Sequence, residues 1–365
     1  MTEFIFYEDL WFIAIATAAL CEIMRWMSKK RLKGSNVMPH WIHDGEKPRF
    51  GGVCILITMA VTLAVFWDNF LASQVAPIYT FLVVSAFAVG FIEDIVGNIS
   101  ARTRLLLTSL IVVLTCSVAF LSNDTQWLLN NVVNAPPLLF ILFVAIGVGT
   151  LHGTNLIDGL NGLAAFWGLG ALLILFQLAS NQPSFSAEEQ AAILNIIAIC
   201  FLCLSGFLLI NFPLGRVFLG DAGAYLIGLL VFLVATLVAT NTSDYRPLFQ
   251  VAAILSYPLM EIGWTVVRRL FVLRVGVFTP DKRHLHSSVF LVIQGRFSSL
   301  SATAANSLAT VIIMTSVVQV TFWTAVFMPN DILAASLTML VIPCTYLAVY
   351  FLAHVFLSST VRHLE

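Results

Sequence analysis

The chain has 365 residues, of which 59% are hydrophobic and only 10% charged. Soluble domains carry about a quarter charged residues, so this composition excludes an ordinary water-soluble fold and points to a polytopic membrane protein. The net charge of −1 gives no sign of a nucleic-acid partner.

A membrane-spanning helix needs about 20 mainly apolar residues. In chain order the stretches that qualify are 8–27, 51–71, 76–92, 105–122, 136–153, 160–180, 190–211, 220–240, 247–268, 304–327 and 332–357. The expected fold is an all-α transmembrane bundle of about eleven spans, ten being the alternative count, in one domain over residues 1–365. The first span follows acidic residues rather than a basic stretch, so it reads as a permanent anchor and not a cleaved signal. Cys21, Cys54, Cys116, Cys200, Cys203 and Cys344 all fall inside or at the edge of apolar stretches, as packing residues do. Cys200 and Cys203 form a C-x-x-C inside a continuous apolar helix, a setting that does not suit redox or metal chemistry.

Lysine and arginine give the expected orientation. Every one of the 18 except Arg246 falls on the side reached after the first span, which makes that side cytoplasmic and places the N-terminus outside. The connections on that side are 28–50, 93–104, 153–160, 211–220 and 269–303. The opposite connections are short and plain, such as Asp68-Asn69 and Asn123-Asp124.

All the polar clusters with internal design lie on the basic side. His43-Asp44-Gly45-Glu46-Lys47-Pro48-Arg49-Phe50-Gly51-Gly52 enters the second span through a glycine pair. Glu93-Asp94 closes the third span, and Arg102 and Arg104 open the fourth. Carboxylates at a membrane helix end are costly unless solvated or bound, and they oppose the dipole of their own helix. Two like charges this close also push one carboxyl toward the range of a general base.

Asn155, Asp158 and Asn161 recur at intervals of three, with glycines after the last two, which leaves room for a ring or phosphate against the backbone. Phe218-Leu219-Gly220-Asp221-Ala222-Gly223 sets one aspartate between glycines at the start of an apolar run. Its carboxylate is a hard oxygen ligand suited to Mg²⁺, although a plain helix cap has the same pattern. Asp281-Lys282-Arg283-His284-Leu285-His286 lies in the longest basic connection. With no Cys or third His near the pair, Lys282 and Arg283 argue for an anion, most simply a diphosphate. Carboxylates and an asparagine for Mg²⁺, beside arginines and histidines for phosphate, suit metal-assisted phosphoryl transfer to or from a lipid. No G-x-x-x-x-G-K-[ST] occurs, so an ATPase is excluded.

With these motifs in this order, the chain resembles the polyprenyl-phosphate N-acetylhexosamine-1-phosphate transferases, within glycosyltransferase family 4, over roughly residues 40 to 290. The resemblance implies an enzyme of the bacterial inner membrane, active on its cytoplasmic face. It would transfer GlcNAc-1-phosphate, or a close relative, from a UDP-N-acetylhexosamine to undecaprenyl phosphate, releasing UMP and starting a cell-surface polysaccharide. It implies Mg²⁺, with Mn²⁺ as a substitute, held by Asp221 with Asn155. Asn161 stands at the position that meets uracil. Asp94 matches the residue that deprotonates the lipid phosphate or, in a two-step route, attacks as nucleophile. Glu93 stands where the family has aspartate, and Asp158 is the third candidate catalytic carboxylate. Arg102 and Arg104 lie near the family's diphosphate-binding lysine, while Lys282, Arg283, His284 and His286 fall in the motif that binds phosphate or sugar. Ser287 and Ser288 replace the further histidines of the peptidoglycan enzymes, which favours a simple UDP-N-acetylhexosamine over a muramoyl-pentapeptide donor. Family members are often homodimers, an expectation the residues themselves do not supply.

Two rival classes fit less well. An intramembrane prenyltransferase needs two aspartate-rich motifs that are absent here, and a secondary transporter would place its ionisable residues at mid-membrane rather than at helix ends.

Overall fold

The computed structural model describes residues 10–31, 47–65, 76–123, 125–279, 281 and 283–362. Its helices in order are α1 (Trp11–Arg31), α2 (Gly51–Val65), α3 (Ala76–Val96), α4 (Ala101–Ser122), α5 (Gln126–Asn131), α6 (Pro136–Ile157), α7 (Leu163–Ser180) and α8 (Ala187–Asn211). They continue with α9 (Gly220–Thr240), α10 (Tyr245–Val267), α11 (Leu285–Arg296), α12 (Ala302–Ile313), α13 (Gln319–Val326), α14 (Ile332–Met339) and α15 (Val341–Arg362). A π-helical turn extends α10 to Val272, and another joins α12 to α13.

Among the described residues, 10 helical stretches are long and apolar enough to cross a membrane, and the shorter α2 accounts for the remaining expected span. The protein is therefore a polytopic helical membrane bundle. Its outward faces carry large apolar side chains such as Phe81, Leu106, Leu209 and Phe271. So much exposed hydrocarbon would drive association in water but is ordinary against lipid.

The central post is α9, with 94% of its membrane-length window buried. A helix apolar on every side must be enclosed on every side, and α9 packs against α2, α3, α4, α6, α7 and α10. One apolar cluster runs from Leu10 to Ala353 around it. On the periphery α1 packs on α8, and α15 packs on α11.

The structure moves several expected boundaries. Helix α6 continues to Ile157, which puts Asn155 on its last turn rather than in a connection. The connection 269–303 contains α11, whose mixed sequence LHSSVFLVIQGR lacks a clear apolar stripe. At the other end of the bundle α8 opens with a capping box: Glu189 N donates to Ser186 Oγ at 3.2 Å, and Ser186 N donates to Glu189 Oε2 at 3.0 Å. Ser186→Ala is expected to lower stability by about 1 kcal/mol, read as a lower melting temperature in detergent with unchanged activity.

Candidate active site

The site is organised by the N-terminus of α9. Residues 48–52 clasp the approach to it: Phe218 N donates to Pro48 O, Gly51 N to Phe218 O and Gly52 N to Leu219 O, each at 2.9 Å. Gly220 then turns the chain at φ +77°, a left-handed conformation that favours glycine. A Cβ there would also lie 2.6 Å from Asp94 Oδ2.

Asp94 faces the opening turn of α9. Its Oδ1 accepts from Asp221 N at 3.1 Å and its Oδ2 from Ala222 N at 2.9 Å. The charge that is unfavourable at the C-terminus of α3 thus meets the free N–H groups and positive dipole end of α9. Gly52 and Gly90 permit the close approach. A Cβ on Gly52 would sit 2.3 Å from Gly223 N, and one on Gly90 would sit 2.4 Å from the Asp221 carbonyl carbon.

Held in this way, the Asp221 side chain meets α4 and α6. Its Oδ2 accepts from Arg104 Nη1 at 2.6 Å and from Asn155 Nδ2 at 3.1 Å. The same Arg104 nitrogen is 3.9 Å from Glu93 Oε1, and Glu93 Oε2 accepts from Ile99 N at 2.9 Å. Arg49 Nη1 lies 3.8 Å from Asp94 Oδ1. Asp158 caps the C-terminus of α6. The residue keeps some surface exposure, yet its carboxyl is enclosed by protein. Burial, followed by the charges of Asp221 and Asp94, holds it well above the usual carboxylate range, with Arg49 and a Gly220 backbone hydrogen bond opposing. Even without Asp158, Glu93, Asp94 and Asp221 outnumber Arg49 and Arg104, and the cluster is short of positive charge.

The other expected residues lie around this centre. Arg102 is exposed and sits over the Phe278 ring at 5.6 Å, on the rim. Asn161 is 2% exposed and is fastened to α12 and the α8–α9 connection. Its N donates to Asn306 Oδ1 at 2.7 Å and its Nδ2 to Pro213 O at 3.0 Å, and its carbonyl accepts from Thr310 Oγ1 at 2.8 Å. Its Oδ1 is buried without a partner.

His286 rests on the Asp158–Gly159 turn so closely that a Cβ on Gly159 would lie 2.2 Å from His286 Nε2. Burial, then the His284 charge, pushes His286 down to about 4, so it is neutral at neutral pH. Its ring stacks on His284 with centroids 5.5 Å apart. Asp281 accepts from Arg268 Nη2 at 2.8 Å, Arg269 Nε at 2.7 Å and Arg283 N at 2.8 Å. Burial opposes ionisation of Asp281, but the Arg269 and Arg283 hydrogen bonds and the Arg268 charge outweigh it and hold the carboxyl below its usual range. The Arg283 side chain is exposed. Lys282 lies outside the described residues, as do His43 through Glu46.

Reading along the sequence did not single out Arg49 or Glu261. Arg49 entered only as one member of the 43–52 cluster, with nothing local to mark it out, and Glu261 sits inside an apolar span.

The donor set is all oxygen near Asp221: carboxylates and the Asn155 amide. Among the described residues no three His, Cys, Asp or Glu side chains form a ready-made metal cage. Mg²⁺ seldom uses one, since it keeps waters and binds through one or two carboxylates plus substrate phosphates. A carboxylate cluster short of positive charge fits such an ion.

Residues 76–239 match the family model described as glycosyl transferase family 4, a stretch holding Glu93, Asp94, Asn155, Asp158, Asn161 and Asp221. The chain is 27% identical to an undecaprenyl-phosphate alpha-N-acetylglucosaminyl 1-phosphate transferase of Thermotoga maritima, over 73% of this chain and 75% of the relative. It is 26% identical to a decaprenyl-phosphate N-acetylglucosaminephosphotransferase of Mycobacterium leprae, over 67% of each chain. A probable undecaprenyl-phosphate N-acetylglucosaminyl 1-phosphate transferase of Bacillus subtilis is 27% identical over 67% of this chain and 66% of its own length. The motifs that carry the resemblance gather around the N-terminus of α9, and over residues 76–239 the chain is similar to glycosyl transferase family 4.

Proposed function

We propose that the protein transfers N-acetylglucosamine-1-phosphate from UDP-N-acetylglucosamine to undecaprenyl phosphate at the cytoplasmic face of a bacterial inner membrane. The observation that carries this reading is the convergence of Asp221, Asn155, Arg104 and Asp94 at one helix N-terminus, a carboxylate cluster short of positive charge that a divalent ion carrying a diphosphate would complete. The relatives named for the same transfer support it. An oxygen of the lipid phosphate bonds to the β-phosphorus of the donor. The bond from that phosphorus to the bridging oxygen breaks, and UMP leaves with the oxygen.

Asp221 and Asn155 are the residues to hold Mg²⁺, which when bound neutralises the diphosphate and stabilises the departing UMP. Arg104 orients Asp221 and presents a second cation to the phosphates. Asp94 is committed to two N–H groups of α9, so we assign it to fixing Asp221 in place rather than to proton transfer. Asp158, on the turn that closes α6 beside this cluster, is the carboxyl we assign to take the acceptor proton. Asn161, held in place by Asn306, Thr310 and Pro213, is assigned to the wall of the site on the uracil side of the donor.

The test follows the phosphorus. Purified protein is given UDP-N-acetylglucosamine labelled in the β-phosphate, undecaprenyl phosphate and Mg²⁺. Label in the lipid with release of UMP is expected, and chelation of Mg²⁺ should stop both. Release of UDP with an unlabelled lipid would replace phosphosugar transfer with plain sugar transfer.

A further inference from the structure

Helix α10 carries a carboxylate that belongs to none of the polar clusters. Glu261 is 0% exposed within the membrane-length stretch Tyr245–Val272. A buried charge at such a place is expensive unless each oxygen is partnered and the group has a task. Both oxygens are partnered. Oε1 accepts from Leu285 N at 3.1 Å and lies 3.3 Å from His284 Nδ1, and Oε2 accepts from Tyr346 OH at 2.7 Å.

These contacts tie three elements together. Leu285 opens α11, His284 is the residue before it, and Tyr346 belongs to α15. Thr265 Oγ1, one turn further along α10, also lies 3.3 Å from His284 Nδ1. His284 stacks flat on His286, with an interplanar angle of 3°, and His286 rests on Gly159 beside Asp158. A continuous line of contacts therefore runs from α15 through Glu261 and the two imidazoles to the turn that carries Asp158. Packing alone does not call for this arrangement, since an apolar residue of similar volume would fill the space without the cost of burying a charge. A carboxylate 3.3 Å from Nδ1 does what packing cannot: it favours the proton on that nitrogen and leaves Nε2 as the working edge of the ring.

We propose that Glu261, locked by Tyr346, is a positioning residue that sets the orientation of His284 and, through the stacked pair, seats His286 against the Asp158 turn on the donor side of the site. This rests on the transferase reading above, together with the expectation from the resemblance that the histidine motif meets the phosphate or sugar of the donor.

The test uses the full chain in detergent with Glu261→Gln, Tyr346→Phe and the double variant. Loss of an orienting carboxylate behind a working histidine costs about 10-fold or more, so Glu261→Gln is expected to raise KM for UDP-N-acetylglucosamine by about 10-fold. KM for undecaprenyl phosphate should stay within about twofold, because the contacts reach only the histidine side. Tyr346→Phe should shift the same constant in the same direction by about threefold, since it removes one neutral hydrogen bond. The double variant should be no worse than Glu261→Gln, since residues acting through one chain of contacts are not additive.

A second readout does not depend on turnover. Modification of His284 by diethyl pyrocarbonate, followed by mass spectrometry, should be several-fold faster in both single variants than in the wild type. Equal rises in both KM values, or unchanged His284 labelling in both variants, would overturn the proposal. If the wild type makes no lipid product from any UDP-sugar, the transferase reading fails, while the labelling still decides the role of Glu261.

Discussion

Asp221→Asn is expected to lower the rate of UMP release by about 10²- to 10³-fold while leaving the fold in place, the scale seen when one preorganised electrostatic group is removed from a transition state. The substitution keeps the shape of the side chain and leaves an amide oxygen that can still accept from Arg104. It removes the negative charge on which the reading depends, and it leaves Glu93, 3.9 Å away, as the remaining carboxylate near the Arg104 guanidinium. Asp94 bonds to the backbone N–H of residue 221, not to its side chain, so the opening turn of α9 is untouched. The outcome to look for is a fall in kcat beside a melting temperature within a few degrees of wild type. A KM effect with unchanged kcat would instead make Asp221 a residue of ground-state binding.

Gly52→Ala and Gly90→Ala should be damaging through space alone. Each added methyl would meet backbone, Gly223 N at 2.3 Å and the Asp221 carbonyl carbon at 2.4 Å, and backbone cannot rotate away as a side-chain tip can. Either α9 or its neighbour must shift, and overpacking of this kind costs about 1–3 kcal/mol. The shift falls where Asp94 meets the N–H groups of residues 221 and 222, so activity should drop at least about tenfold, the scale of small misplacements of catalytic groups. Gly263→Ala is the control. That glycine has nothing within 4 Å of an added Cβ, so the change should be neutral or stabilising by up to about 1 kcal/mol. Thermal melting beside turnover separates the two cases, and equal behaviour of all three variants would contradict the close-approach argument.

Much of the site could be read along the chain because its parts are local. Glu93-Asp94, the Asn155–Asn161 triplet spacing and the Gly-Asp-Ala-Gly turn are each a few residues long, and each stands at the end of an apolar stretch. Composition alone gave the spans, since lipid demands long apolar helices. What could not be read is what depends on distant partners. Asp94 lies 127 residues from the helix turn it caps, so its commitment to α9 has no trace in the local sequence. Asn161 is held by Asn306, 145 residues away, and a triplet pattern says nothing of that. Arg49 and Glu261 are single charges whose meaning comes from what packs against them. Helix α11 was hidden because a short helix buried on several sides needs no stripe.

The most direct measurement is divalent-ion binding in the presence of the donor. Mn²⁺ is the expected stand-in for Mg²⁺ and is visible by electron paramagnetic resonance, so free Mn²⁺ can be counted as UDP-N-acetylglucosamine is added to the wild type and to Asp221→Asn. Donor-dependent uptake of Mn²⁺ by the wild type and its loss in the variant is the expected result. Equal uptake by both proteins would contradict the placement of the diphosphate and its metal at the N-terminus of α9.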